Sequence, residues 1–244
     1  MHDQLPGDGL YPQTKPYKTD YLNVDGHQIH YELSGNPDGP TALFLHGGPG
    51  GGTSPRDRCF FNPDHYRVVL LDQRGSGKSI PNASKDYEGA LFNNTTQYLI
   101  EDIEQLREEL QVDQWQLLLG GSWGTTLAIA YAEQHPDRCR QILLRGIFTA
   151  LPDEIDALFQ DGTAANHYPE EWNRYTSYIQ KTSKNWDLEQ QNLLAAYQKR
   201  LLDPELRIEA AEAFAGYELS ISCLFRNEER VKGILSNPEQ LVPF

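Results

Sequence analysis

The sequence predicts an α/β fold, a mostly parallel sheet flanked by helices, followed by a helical unit. Three observations carry that expectation. Apolar runs of strand length recur at 41–45, 66–71, 115–119 and 141–144, most of them closed by a glycine-rich loop. Helix-length stretches lie between several of them, so strand, loop and helix alternate from 41 to 148. Past residue 150 the β-type runs stop and helical periodicity takes over, at 188–202 and 205–218. The expected organisation is a core over 1–150 and a helical cap over 151–244.

Each element has a local reason. Residues 1–20 are rich in Pro, Tyr and Gly and read as surface chain. Residues 21–24 and 28–33 flank Asp25-Gly26, a hairpin turn signal. The run 41–45 ends in His46-Gly47-Gly48-Pro49-Gly50, and 66–71 ends in Asp72-Gln73-Arg74-Gly75-Ser76-Gly77. Asn94-Thr95-Thr96 caps a helix to about Leu110, with Leu99, Ile103, Leu106 and Leu110 on its apolar side. The strand 115–119 runs into Gly120-Gly121-Ser122-Trp123-Gly124, and a helix over 125–134 stops before His135-Pro136.

Composition excludes several functions. The 244 residues carry 21 Lys+Arg against 35 Asp+Glu, a formal charge of −14. That balance disfavours nucleic acid and anionic lipid as partners. No apolar run is long enough to span a membrane, and the first residues lack a signal peptide's basic and apolar regions. Cys59, Cys139 and Cys223 are widely spaced, form no metal-ligand pattern, and read as reduced thiols of a cytoplasmic protein. Neither a metal nor another cofactor is expected.

The chemistry centres on Ser122. Gly120-Gly121-Ser122-Trp123-Gly124 matches G-x-S-x-G, with a predicted strand before it and a helix after it. A serine on so tight a turn needs neighbours without bulk two residues away on either side, and Gly120 and Gly124 supply that. The turn lifts the hydroxyl into a cleft and aims the Trp123 N–H at a developing oxyanion. Gly48, in the loop after the first buried strand, is the candidate for the second oxyanion donor. His46 reads as a loop-shaping residue rather than a base, and the charged residues of 72–77 as braces for the loops around the cleft.

Together these motifs resemble the proline iminopeptidases (prolyl aminopeptidases), serine peptidases of the α/β-hydrolase fold. The similarity is carried by 46–52, 72–79, Asn94-Thr95-Thr96, 120–127 and Leu144-Arg145-Gly146-Ile147-Phe148, and by Glu170-Glu171-Trp172 in the helical unit. The resemblance implies release of N-terminal proline from short peptides, with Ser122 as nucleophile and Gly48 and Trp123 as oxyanion donors. It implies that Phe148 lines the proline pocket and that Glu218 binds the free amine; a cationic amine in a partly apolar pocket needs such an anion. The residues alone leave Glu218 open as a solvated carboxylate and Phe148 as plain core. Phe214 and Tyr217 stand where the family usually has tryptophans, which changes the pocket's volume.

In this fold the catalytic acid and histidine follow the serine. After Ser122 only His135 and His167 occur, and neither follows a late strand. The expectation is that the triad's Asp and His lie beyond Phe244, that the last strands are missing, and that the chain by itself is weak or inactive. Two other readings stay open: another serine hydrolase such as an esterase or amidase, and a non-catalytic binding protein on a hydrolase core.

Overall fold

The computed structural model describes residues 9–160, 162–222 and 228–235. Cys223 lies outside them. The chain forms two compact units that divide between Thr149 and Ala150.

The first unit is built on a six-stranded sheet: β1 (Lys18–Val24), β2 (His27–Gly35), β3 (Thr41–Leu45), β4 (Arg67–Leu71), β5 (Leu117–Gly121) and β6 (Ile142–Arg145). The order across the sheet is β1-β2-β4-β3-β5-β6. β1 and β2 pair antiparallel, as do β2 and β4, whereas β4, β3, β5 and β6 run parallel. The parallel strands therefore open their loops at one sheet edge, where ligands of α/β folds bind. At the hairpin, Asp25 (φ 47°) and Gly26 (φ 82°) are both left-handed, the conformation a two-residue turn requires.

Among the described residues, three α-helices belong to this unit: α1 (Tyr87–Leu91), α2 (Thr96–Glu109) and α3 (Trp123–Gln134). α2 buries Leu99, Ile100, Ile103 and Leu106, and α3 buries Leu127, Ala128 and Tyr131, in one core with β-strand residues such as Ile29, Leu43 and Val69. The opposite sheet face packs Phe44, Val68 and Leu70 against Phe61.

The described second unit is helical: α4 (Pro152–Phe159), α5 (Thr163–His167), α6 (Pro169–Thr182), α7 (Trp186–Glu189), α8 (Leu193–Leu201), α9 (Arg207–Ile221) and α10 (Glu228–Leu235). Its core is aromatic. Tyr175 stacks between Tyr197 (4.7 Å) and Tyr217 (4.5 Å), and Phe159 stacks on Phe214 at 5.4 Å. Arg200 ties α8 to its neighbours by donating to Thr182 Oγ1 (2.6 Å) and Glu189 (2.7 Å).

Three sequence expectations need correction. β1 begins at Lys18, inside the stretch read as surface chain; its first residues pair with β2 but expose their side chains, so they carry no apolar signal. The periodic stretch 188–202 is two helices, because the Asn192 side chain accepts from Ala195 N and starts α8 afresh. Trp115 precedes β5, meeting Cys139 only in an isolated bridge.

Candidate active site

Ser122 sits between β5 and α3 with φ 53° and ψ −122°, a conformation that non-glycine residues rarely hold. The surrounding contacts leave the chain no alternative. A Cβ at Gly120 would stand 2.3 Å from Gly124 O, and a Cβ at Gly124 would stand 2.1 Å from Leu45 O. Both clashes are with backbone, so no side chain can give way. Ser122 N donates to Arg145 O at 3.0 Å, fixing the bend to β6, and Thr125 N donates back to Ser122 O at 2.8 Å. The result is an exposed serine on a rigid turn.

The loop after β3 reaches this turn. A Cβ on Gly47 would lie 2.9 Å from Gly121 O and 3.1 Å from Ser122 Cβ, so glycine allows this close approach without strain. Gly48 has φ 119°, and a Cβ there would stand 2.6 Å from Gly50 N. Gly51 N donates to Gly47 O at 3.1 Å, closing the loop on itself. Ser122, Trp123 and the Gly47–Gly48 peptide thus come together at the sheet's carboxyl edge.

His46 and Gln73 hold that arrangement. His46 is 2 % exposed; burial lowers its pKa, which keeps the ring neutral at neutral pH. Its Nδ1–H donates to Gly47 O (2.8 Å) while Nε2 accepts from Gln73 N (3.0 Å). The Gln73 amide then donates to His46 O (2.9 Å) and accepts from Trp123 Nε1–H (3.0 Å). One buried side chain therefore bonds both segments expected to carry oxyanion donors. Sequence reasoning passed over Gln73, since an amide between two charged residues carries no spacing signal.

Asp72 braces the neighbouring loops. Its carboxylate accepts from Thr53 N (2.6 Å), Thr53 Oγ1 (2.7 Å), Lys78 N (3.0 Å) and His30 Nδ1 (2.9 Å). Burial alone would push its pKa up; the bonds from His30, Lys78 and Thr53 outweigh that and hold it below the usual carboxylate range. Arg74 bonds Asp102 of α2 through Nε and Nη2, both at 2.7 Å.

Phe148 follows β6 and is half-buried. Its N–H donates to Thr125 Oγ1 (2.9 Å), and its carbonyl accepts from Thr126 Oγ1 (2.7 Å), so the first turn of α3 fixes its backbone. Glu218 belongs to the second unit, on α9. Its Oε2 is buried and has no hydrogen-bond partner, and burial pushes its pKa up to about 7. Phe214 and Tyr217, singled out near it in the sequence, share one cluster with Phe159.

Among the described residues, no hydrogen bond reaches the Ser122 hydroxyl. His135 lies tilted against Tyr131 at 5.1 Å at the far end of α3, and His167 ends α5 in the second unit.

The profile of the alpha/beta hydrolase fold family matches residues 40–217. A proline iminopeptidase of Xylella fastidiosa is 42% identical over 223 residues, covering 90% of this chain and 67% of its own length. The chain belongs to the proline iminopeptidase family of α/β hydrolases. The family member from Arabidopsis thaliana is 44% identical over 226 residues, which is 91% of this chain but 56% of that protein. A probable proline iminopeptidase of Leptolyngbya boryana is 44% identical, over 88% of this chain and 64% of its own. The chain thus spans between about half and two thirds of these relatives' length. Among solved structures, a candidate epoxide hydrolase from Pseudomonas aeruginosa superposes with a TM-score of 0.52 at 19% identity, over 94% of this chain and 70% of its own. At that identity the likeness extends to the fold alone.

Proposed function

We propose that this site belongs to a serine aminopeptidase that releases proline from the amino terminus of short peptides. The observation that carries the reading is Ser122, exposed on a strained, glycine-flanked turn beside the Gly47–Gly48 loop. In this reading Ser122 Oγ attacks the prolyl carbonyl carbon, and the carbonyl oxygen turns toward the N–H groups of Gly48 and Trp123. The C–N bond breaks, the serine proton ends on the leaving amine, and water then releases proline from the acyl-enzyme. Phe148 lines the wall against the pyrrolidine ring. Glu218 of the second unit is the residue we assign to the substrate's cationic amine, on the resemblance and on its buried oxygen, which has no partner of its own. The relatives' names support proline as the residue released. Buried Cys59 and the part-buried Cys139, both free thiols, fit work in the cytoplasm.

Nucleophilic attack needs a base to take the hydroxyl proton. Since no described residue bonds that hydroxyl, we expect slow turnover from this chain. The same observation favours one second reading, a non-catalytic binder of proline-ended peptides. Cleavage of a proline arylamide at high protein concentration separates the readings. The peptidase predicts slow release that Ser122→Ala abolishes and N-acetylation of the proline suppresses. Release indifferent to both changes would overturn it.

A further inference from the structure

A cavity of about 370 Å³ opens beside the serine turn, within the first unit. Its lining includes Pro49, Gly50 and Trp123 together with Leu91, Thr96 and Leu99.

The sheet order gives this cavity a direction. Ser122 stands at the end of β5, Phe148 follows β6 on one flank, and the loops after β3 and β4 lie on the other. The cavity is walled by those β3 and β4 loops and by α2, so it and Phe148 occupy opposite flanks of Ser122. A carbonyl carbon bound to Ser122 carries the proline ring on one side and the leaving nitrogen on the other. With the ring toward Phe148, the leaving residue faces the cavity.

The lining gives the cavity a chemistry. Its polar side chains are largely engaged elsewhere: the Gln73 amide with His46 and Trp123, the Arg74 guanidinium with Asp102 and Asp25, and Asn94 Nδ2 with Arg74 O and Ala90 O. Among the described residues, no acidic side chain lines it, in a chain with 35 of them. What remains for a ligand is Trp123, Pro49, Leu91 and Leu99, with the Thr95 and Thr96 hydroxyls as the neutral polar groups. A charged side chain there would lose hydration with no counter-ion, whereas an apolar one would gain by leaving water.

We propose that this cavity is the subsite for the residue that follows the N-terminal proline, and that it selects an apolar or aromatic side chain. The proposal rests on the peptidase reading for its orientation, while the ligand preference of the cavity stands on its own walls.

Product amides test it without requiring turnover. In the 15N-labelled 244-residue protein, the Trp123 indole N–H is a probe on the cavity wall. L-Phenylalaninamide is expected to shift that resonance and to bind about tenfold more tightly than glycinamide, the gain for burying one such side chain. Both amides carry the same cationic amine, so the acidic chain attracts them equally. Thr96→Phe, which fills the cavity, brings the two affinities together; Leu91→Arg, at a position already 47% exposed, does so without burying a new ring. Equal affinities in the unaltered protein, or a phenylalaninamide footprint that leaves Trp123 unmoved, would overturn the proposal. The two readings fail separately. Ser122-dependent release of proline at equal rates from Pro-Phe-amide and Pro-Gly-amide sinks the subsite and leaves the peptidase. The tenfold preference with no Ser122-dependent release keeps the cavity's selectivity and sinks the peptidase.

Discussion

Asp72 and Glu218 both carry buried carboxyl oxygens, and the molecule treats them in opposite ways. Asp72, in the first unit, receives four hydrogen bonds from three residues and stays ionised. Glu218, in the second, has a buried oxygen with no partner and a pKa raised to about 7. Burial penalises both charges, so the difference lies in what surrounds them. A carboxylate whose acceptor sites are filled by the protein fixes loops in place. One with a buried, unpartnered oxygen is costly to ionise until a cation arrives. The first arrangement suits a scaffold for Ser122 and the second suits recognition of an amine.

The largest expected effect breaks the first half of this comparison. Asp72→Asn turns an amide toward donors from Thr53, Lys78 and His30 and should cost about 3–5 kcal/mol, read as a fall in the urea midpoint. The pH dependence has a definite sign. The folded pKa is depressed, so the unfolded chain binds the proton more readily and stability from Asp72 is lost as pH falls through the folded pKa.

Glu218 runs the other way. Its folded pKa of about 7 exceeds the ordinary 4.5, so between those values the folded protein holds the proton and the unfolded chain does not. Stability from this group is therefore complete below about pH 4.5 and lost as pH rises through 7. Glu218→Gln should stabilise the protein by up to about 3 kcal/mol above pH 7 and by little at pH 4, seen as a pH-dependent gap in thermal midpoints. A gap that is flat with pH would remove the contrast between the two carboxyls.

The smallest effect sharpens the account of Ser122. Glycine tolerates φ 53° and ψ −122° where serine is strained. Ser122→Gly should raise stability by about 1 kcal/mol in denaturant titration while removing all serine chemistry. Destabilisation would mean that the turn is not strained.

The strands that place the site were legible because β3, β4 and β5 are short, apolar and capped by glycine-rich loops. Ser122 was legible because G-x-S-x-G encodes a steric demand, which Leu45 O and Gly124 O now make concrete. Other features left no trace in spacing. Lys18 to Asp20 form a strand through backbone pairing and a Lys18–Tyr31 side-chain bond, with exposed side chains that give no apolar signal. The break at Asn192 depends on one side-chain acceptor inside an otherwise periodic stretch. Gln73 owes its role to two partners 27 and 50 residues away in the chain. The aromatic cluster of the second unit could be listed from the sequence, but the stacking of Tyr175 between Tyr197 and Tyr217 could not.

The central claim is that Ser122 is a nucleophile facing a pocket for proline with a free amine. Pyrrolidine-2-boronic acid tests it directly, because its boron stands in for the prolyl carbonyl carbon and accepts a serine oxygen without a leaving group. Boron-11 resonance of the bound inhibitor should report a tetrahedral adduct in the unaltered protein, a trigonal boron with Ser122→Ala, and much weaker binding after N-acetylation. A trigonal boron at saturation, or the same adduct with Ser122→Ala, would contradict the account.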